Sequence, residues 1–422
     1  MKENQKTDSN IYKVALLVSL ACVLQIAESL IPHPIPGLRL GLANIITLVA
    51  LINLGFGYAL EITVLRTVLS SFVMGTFMSP GFILSFAAGV MSTRTMGFLY
   101  WLAHATKQRL FSIVGISVAG ALVHNIVQLG LAYLILVKHA GIFIFLPWLS
   151  IGAVFIGWFT GVVSSRICLK LKEMEGRRIA PKVKKEYQGL KLSHYLAGDS
   201  IIHRISPDIK IVGVVILSLA VLFFSSLWFY AVLFVFFAAL AAISTTSFRY
   251  LFSSARRCSS LIFASFLFPV FFNSGKHVVS HFAYFNITSE GLNTGIIFAL
   301  RLIFLIWASS LLARTTSPED IGRGLSRILS PLRPLGISGK RVATILSLSW
   351  TAIPIFWEIA RNSIRELDLK KAKDPRNLIT FMSDIIVNLY LETDELTDSW
   401  QGFYPERHFC LRKEGYKNLA GS

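Results

Sequence analysis

The feature that most constrains this chain is a succession of apolar runs, most of them about 18 residues or longer, separated by short basic loops. A helix satisfies its own backbone hydrogen bonds, so runs of this kind fold as membrane-crossing helices. Composition points the same way. Of 422 residues, 54% are apolar and only 15% are charged, against roughly a quarter charged in a soluble domain. Mean hydropathy is +0.62. The expected fold is all-α and polytopic, in the cell inner (plasma) membrane.

The formal charge of +18 is distributed by topology. Six runs fit the first part of the chain, at about 12–31, 40–55, 57–78, 81–102, 111–137 and 142–165. Lys2, Lys6 and Lys13 precede the first, Lys107 and Arg109 follow the fourth, and a dense basic segment follows the sixth. All fall on one side of a six-span unit, and the other side holds Arg39 and Lys138. The positive-inside rule then puts both ends of the unit in the cytoplasm. No basic stripe is interleaved with aromatics, so a nucleic-acid partner is not expected. The first run lacks a small-residue cleavage site and reads as an uncleaved helix. Cys22, Cys168, Cys258 and Cys410 are scattered and suggest neither metal site nor disulfide framework, and no cofactor is expected.

Polar residues inside the apolar runs are the candidate site. Glu61, Arg66, Arg94, His124, Asn125 and Gln128 sit where charge and unpaired polar groups are costly, so each faces a partner or a cavity. Arg66, Arg94, His124 and Asn125 are the candidate substrate-binding residues. Two arginines and an imidazole would suit an acidic or phosphorylated small molecule. The structural alternative for any one of them is an internal pair, such as Glu61 with an arginine. Small residues, among them Ala15, Ser19, Gly157 and Gly161, read as close helix packing, and Ala15-x-x-x-Ser19 also offers a flat docking face for another helix.

The chain divides at 1–167, a six-helix bundle; 168–200, a basic linker that can touch anionic lipid headgroups; 201–314, a second membrane unit; 315–403, cytoplasmic amphipathic helices; and 404–422, a polar tail. The second unit has four spans, at about 209–224, 227–244, 258–274 and 291–313. The segment KHVVSHFAYFNITSEG forms an outside loop, and Arg301 faces the interface or the bundle. Beyond it, Ser317 caps a helix with Pro318 first and acids in its first turn. Ile321, Leu325, Ile328, Leu329 and Leu332 form its apolar stripe, and Arg323, Arg327 and Arg333 lie off it. Residues 342–357 are apolar but short and flanked by basic residues, so they should lie along or dip into the inner surface.

The stretch from PGLRLGLANII to SPGFILSFAAGVMST, with GISVAGALVHNIVQLGLAYL, resembles the membrane family labelled heptaprenyl diphosphate synthase component I over most of residues 12–167. That family is similar in turn to the six-helix substrate-binding (S) components of energy-coupling-factor transporters. Residues 203–403 resemble the transmembrane (T) component of those transporters, through HRISPDIK, ARTTSPEDIGRGLSRILSPLRPLGI, and Pro354 followed by Glu358. The resemblance implies an importer subunit that binds a small molecule and works with two separate ATP-binding-cassette ATPases. It also implies coupling helices that dock on those ATPases through Ala-Arg-Gly motifs. Here the corresponding segments read RELDLK and WQGF. The docking role falls on Arg361, Arg365, Lys370, Gln401 and Gly402.

The chain carries no catalytic set. Residues 12–198 contain no aspartate, and a prenyl synthase needs aspartate-rich motifs to hold Mg²⁺ and diphosphate. GISGKR lacks the earlier glycine and the following Ser or Thr of a P-loop. Two alternatives remain to the importer subunit: an accessory membrane subunit of prenyl diphosphate metabolism, or a stand-alone carrier whose coupling arm has decayed.

Overall fold

Helices follow the apolar runs in the computed structural model, which describes residues 2–29, 40–105, 111–137, 140–175, 200–244, 247–272, 278–282, 285–331, 338–365, 379–391 and 393. The first bundle contains α1 (Lys2–Ser29), α2 (Leu42–Asn53), α3 (Phe56–Met74), α4 (Pro80–Ala105), α5 (Ile113–Ala132) and α6 (Leu146–Glu175). A π-helical turn, Tyr133–Val137, extends α5. Helix α6 runs past the expected end of the bundle into the basic linker, of which residues 176–199 lie outside the described set.

The second unit holds α7 (Ile201–Arg204), α8 (Pro207–Phe223), α9 (Leu227–Ile243), α10 (Phe248–Arg257), α11 (Ser259–Phe272) and α12 (Ser289–Thr315). The expected loop before α12 contains an antiparallel hairpin, β1 (Val278–Phe282) with β2 (Phe285–Thr288). Then come α13 (Pro318–Leu329), α14 (Gly339–Arg365) and α15 (Ile379–Leu391). Among the described residues seven helices are long and apolar enough to cross a membrane, α14 included. The chain is an all-α, multi-pass membrane protein, with one small hairpin among the described residues.

The helix ends obey local chemistry. Ser112 accepts from the Gly115 N–H (3.1 Å), Thr288 from Gly291 (3.1 Å) and Ser317 from Asp320 (3.1 Å), each satisfying a donor the helix cannot. Pro sits at the start of α13, as its fixed φ allows. Helix α2 is capped by a different element. Gly41 turns the chain at φ 72°, a conformation that favours glycine. The Glu28 carboxylate, from the end of α1, accepts the N–H groups of Gly41 (2.9 Å) and Leu42 (3.1 Å).

Two glycines set the spacing of α5 and α6. A Cβ at Gly157 would fall 2.6 Å from the Val118 Cα, and one at Gly161 would fall 2.7 Å from the Val114 Cα. The backbones touch there, as small-x-x-x-small pairs permit in lipid. Ser117 and Thr160 add a buried hydroxyl pair at 2.8 Å across the same seam.

The second unit is built around α12. Phe304 and Trp307 of α12 pack with Tyr230 and Phe237 of α9 as a buried aromatic cluster. Arg301, 2% exposed, points inward. It donates to the Tyr230 hydroxyl (3.2 Å), Ser225 Oγ (2.8 Å) and the Phe224 carbonyl (3.4 Å).

Candidate functional site

Among the described residues, two places where polar and charged side chains gather bear on function. The first is a recess inside the first bundle, with a volume of about 50 Å³. All six helices reach it or its edge. Its polar wall includes Gln25, Glu28, Asn44, Arg66, His124 and Asn125, and Ser85 of α4 and Ile156 of α6 are also among its lining residues. Of the four residues expected to bind substrate, the fold brings Arg66, His124 and Asn125 to this recess. Arg94 is exposed on α4 and does not line it. The buried positions Gly89, Ser92, Thr93, Met96 and Gly97 form the inward stripe of α4, and helical phase puts Arg94 off that stripe.

Arg66 is 6% exposed. Its Nη1 donates to Gln25 Oε1 (2.9 Å) and its Nη2 to Asn44 Oδ1 (2.7 Å), which fixes the plane of the guanidinium. Asn125 donates to the Leu149 carbonyl (2.9 Å), tying α5 to α6 at the recess edge. Glu28, 4% exposed, supplies a carboxylate to the same wall. Gln25, Glu28 and Asn44 were not expected from sequence as site residues. The available signal was an amide and an acid three residues apart near the end of the apolar run of α1, which places both on one face.

The second place is the junction of the two halves. Helix α14 lies along α1, and Ile345, Leu346, Leu348, Ala352, Ile353 and Phe356 share one apolar core with α1, α2 and α3. Ser349 Oγ donates to the Ala15 carbonyl (2.7 Å), with both residues fully buried. The small face at Ala15 and Ser19 therefore belongs to a helix docked on the arm of the same chain. Arg341, at the start of α14, pairs with Glu61 of α3. At the end of α6, Lys170 pairs with Asp384 of α15, and Arg166 donates to Thr380 (2.7 Å). For Glu61 an internal pair with an arginine was the alternative to a ligand role, and its partner is an arginine from the other half.

Helix α13 sits between α8 and α14. Gly324 lets it approach α8: a Cβ there would lie 3.0 Å from the Asp208 N and Pro207 C atoms. Arg327 pairs with Asp208 (3.1 Å), and Arg323 is exposed. The Asp208 carboxyl is held below the ordinary carboxylate value, first by its own backbone N–H and then, against desolvation, by Arg327 and Ser206. Arg361 is exposed near the far end of α14. Arg365 closes that helix, and Lys370, Gln401 and Gly402 lie outside the described residues. Among the described residues, no group of three or more His, Cys, Asp or Glu side chains could hold a metal ion.

Comparison with known proteins separates the two halves. Residues 17–167 match the family model described as heptaprenyl diphosphate synthase component I. Residues 198–397 match the model described as cobalt transport protein. Similar curated proteins include the energy-coupling factor transporter transmembrane protein of Brevibacillus brevis, 28% identical over 217 residues, which are 50% of this chain and 82% of that protein. That of Streptococcus thermophilus is 29% identical over 199 residues, 46% of this chain and 74% of that protein. That of Listeria innocua is 32% identical over 164 residues, 39% of this chain and 62% of that protein. By these similarities the second half of the chain resembles the transmembrane component of energy-coupling-factor transporters, and the first half resembles the heptaprenyl diphosphate synthase component I family.

Proposed function

We propose that this chain combines substrate binding and energy coupling in one importer subunit. Residues 1–167 act as the S-like domain and hold a small molecule in the recess beside Arg66 and His124. Residues 201–314 anchor the machine in the membrane, and 315–403 carry the coupling helices. Two separate ATPase subunits supply the work, because this sequence has no P-loop of its own. Both termini and the arm lie on the cytoplasmic side, consistent with the placement of the basic loops; α14, although long and apolar enough to cross, packs along α1 without crossing.

The observation that carries this proposal is the seating of α1 along α14. One helix bears the exposed Arg361 near one end and the bond to Ala15 in its middle. Force applied at the ATPase end would reach the recess-bearing bundle through packed side chains. Interiors packed at this density shift as units and do not deform smoothly.

A second proposal, a stand-alone carrier with a decayed arm, is favoured by RELDLK and WQGF standing where Ala-Arg-Gly motifs are expected. Co-purification separates the two. Tagged chain expressed in its own host should bring down two ATP-binding-cassette subunits in mild detergent. The double change Arg361→Glu and Arg365→Glu should cut their recovery about tenfold, the equivalent of about 1.4 kcal/mol. Absence of any ATPase from the wild-type complex would favour the carrier. Full recovery with the double variant would remove these arginines from the interface.

A further inference from the structure

Glu28 changes what the recess can accept. From sequence, arginines and a histidine suggest an acidic ligand. The folded wall instead carries one carboxylate and one guanidinium, both more than nine-tenths buried. We propose that the recess takes a compact zwitterion, its anionic group toward Arg66 and its cationic group toward Glu28. This rests on the proposal that the first bundle is a ligand-binding domain, and it names the ligand class.

Charge, size and surface each narrow the choice. A diphosphate would bring two or more negative charges beside the Glu28 carboxylate in a poorly solvated wall, where like charges are strongly disfavoured. A simple cation would meet the same penalty at Arg66. A ligand bearing both signs matches the sign of each wall group and adds no net charge. Both receptors are held in place beforehand. Gln25 and Asn44 orient the guanidinium, and the N–H groups of Gly41 and Leu42 orient the carboxylate. A carboxylate has about four acceptor positions, so these two backbone bonds leave Glu28 able to receive an ammonium group.

The recess volume of about 50 Å³, at roughly 10–15 Å³ per water-sized group, admits on the order of four such groups. That suits a molecule no larger than the smallest amino acids. Among the described residues the lining holds no Phe, Tyr or Trp, and the His124 imidazole is its one ring, so a large planar ring would find little stacking face. Its apolar lining is mostly alanine, with Ile156 the largest apolar side chain, which gives a prenyl chain little to bury against.

The test uses the full chain in lipid nanodiscs with no ATPase present, so it is independent of the co-purification result. Thermal unfolding and calorimetry would compare glycine and β-alanine with propionate, propylamine and isopentenyl diphosphate. A zwitterion should raise the melting temperature and bind at least tenfold tighter than the lone acid or the lone amine. Glu28→Gln should erase the advantage over propionate, and Arg66→Gln the advantage over propylamine. Because Glu28→Gln also weakens the cap of α2, Ala121→Leu serves as a second variant. It fills the recess without touching a charge and should abolish zwitterion binding. Three outcomes would overturn the proposal: no response to either zwitterion, an equal or larger response to isopentenyl diphosphate, or zwitterion binding that survives Ala121→Leu.

Discussion

Arg341 grips Glu61 with two parallel hydrogen bonds, Nε to Oε1 and Nη2 to Oε2, both 2.9 Å. The residues lie in different halves of the chain, one on α14 and one on α3. The Tyr58 ring lies beside the guanidinium, 5.7 Å from its carbon, and Asn10 of α1 donates to the Tyr58 hydroxyl (3.0 Å). Three helices thus meet at one polar point, next to the apolar seam of α1 and α14. The fork geometry suits Arg and would not be reproduced by Lys.

Glu61→Gln should destabilise the junction by about 1–2 kcal/mol. The side chains are 28% (Arg341) and 21% (Glu61) exposed. Solvent screening therefore keeps the loss below the roughly 3–5 kcal/mol of a fully buried pair. Thermal unfolding in detergent should show a drop of a few degrees. The swapped double variant Glu61→Arg, Arg341→Glu should recover most of it. A double variant no more stable than the sum of the singles would show that the pair does not couple the halves.

The α1–α14 seam should depend on size more than on its hydrogen bond. Ser349→Ala removes one buried donor and should cost about 0.6 kcal/mol, typical of polar contacts between membrane helices. Ala15→Leu forces new volume into a filled contact and should cost about 1–3 kcal/mol. Cysteines placed across the seam and tested for cross-linking would read the separation directly. Undiminished cross-linking in Ala15→Leu would mean that the seam absorbs the extra volume.

Much of this fold was legible because each element has a local cause. Apolar length gave the helices, and Ser317 with Pro318 gave the start of α13. The off-stripe positions of Arg323 and Arg327 followed from helical phase, and both are exposed. What sequence could not reveal was long-range. Glu61 needed a partner, but nothing local indicates that it comes from position 341. Helix α2 has only 12 residues, between Gly41 at its start and Leu54 at its end. Residues 342–357 looked too short to cross. They belong to a helix of 27 residues that continues through Pro354, where tertiary contact overrides a breaker. In the recess, charge alone singled out Arg66 and His124 but also Arg94. Depth was readable, whereas facing direction required the α4 stripe. Glu28 escaped notice because its backbone partners arise only when the Gly41 turn folds back.

Arg301 should prove structural. Its three neighbours, Tyr230, Ser225 and the Phe224 carbonyl, close the corner between α8 and α9 onto α12. Arg301→Leu removes the donor to all three and should cost about 2–4 kcal/mol, since charged hydrogen bonds each contribute about 1.5–3. Tyr230→Phe should cost about 1 kcal/mol, because the aromatic packing with Phe304 survives. Ligand binding by the first bundle should be retained in any Tyr230→Phe protein that folds. A selective loss of binding in that variant would instead link this corner to the recess.

The α5–α6 seam gives the sharpest contrast. Gly157→Val and Gly161→Val place carbon against backbone, at about 2.6–2.7 Å for the first added atom alone. Backbone cannot turn aside as a flexible side chain can, so the helices must separate. Separation would also part Ser117 from Thr160 and shift Asn125 from the Leu149 carbonyl at the recess edge. Each variant should therefore lower stability by at least about 1–3 kcal/mol and weaken ligand binding together. Gly130→Ala on the same α5 is the control. No atom lies within 4 Å of its added Cβ, and alanine is the better helix former by about 1 kcal/mol. It should be neutral or stabilising. If Gly130→Ala and Gly161→Val lost stability equally, the close approach of α5 and α6 would not be what holds this side of the bundle.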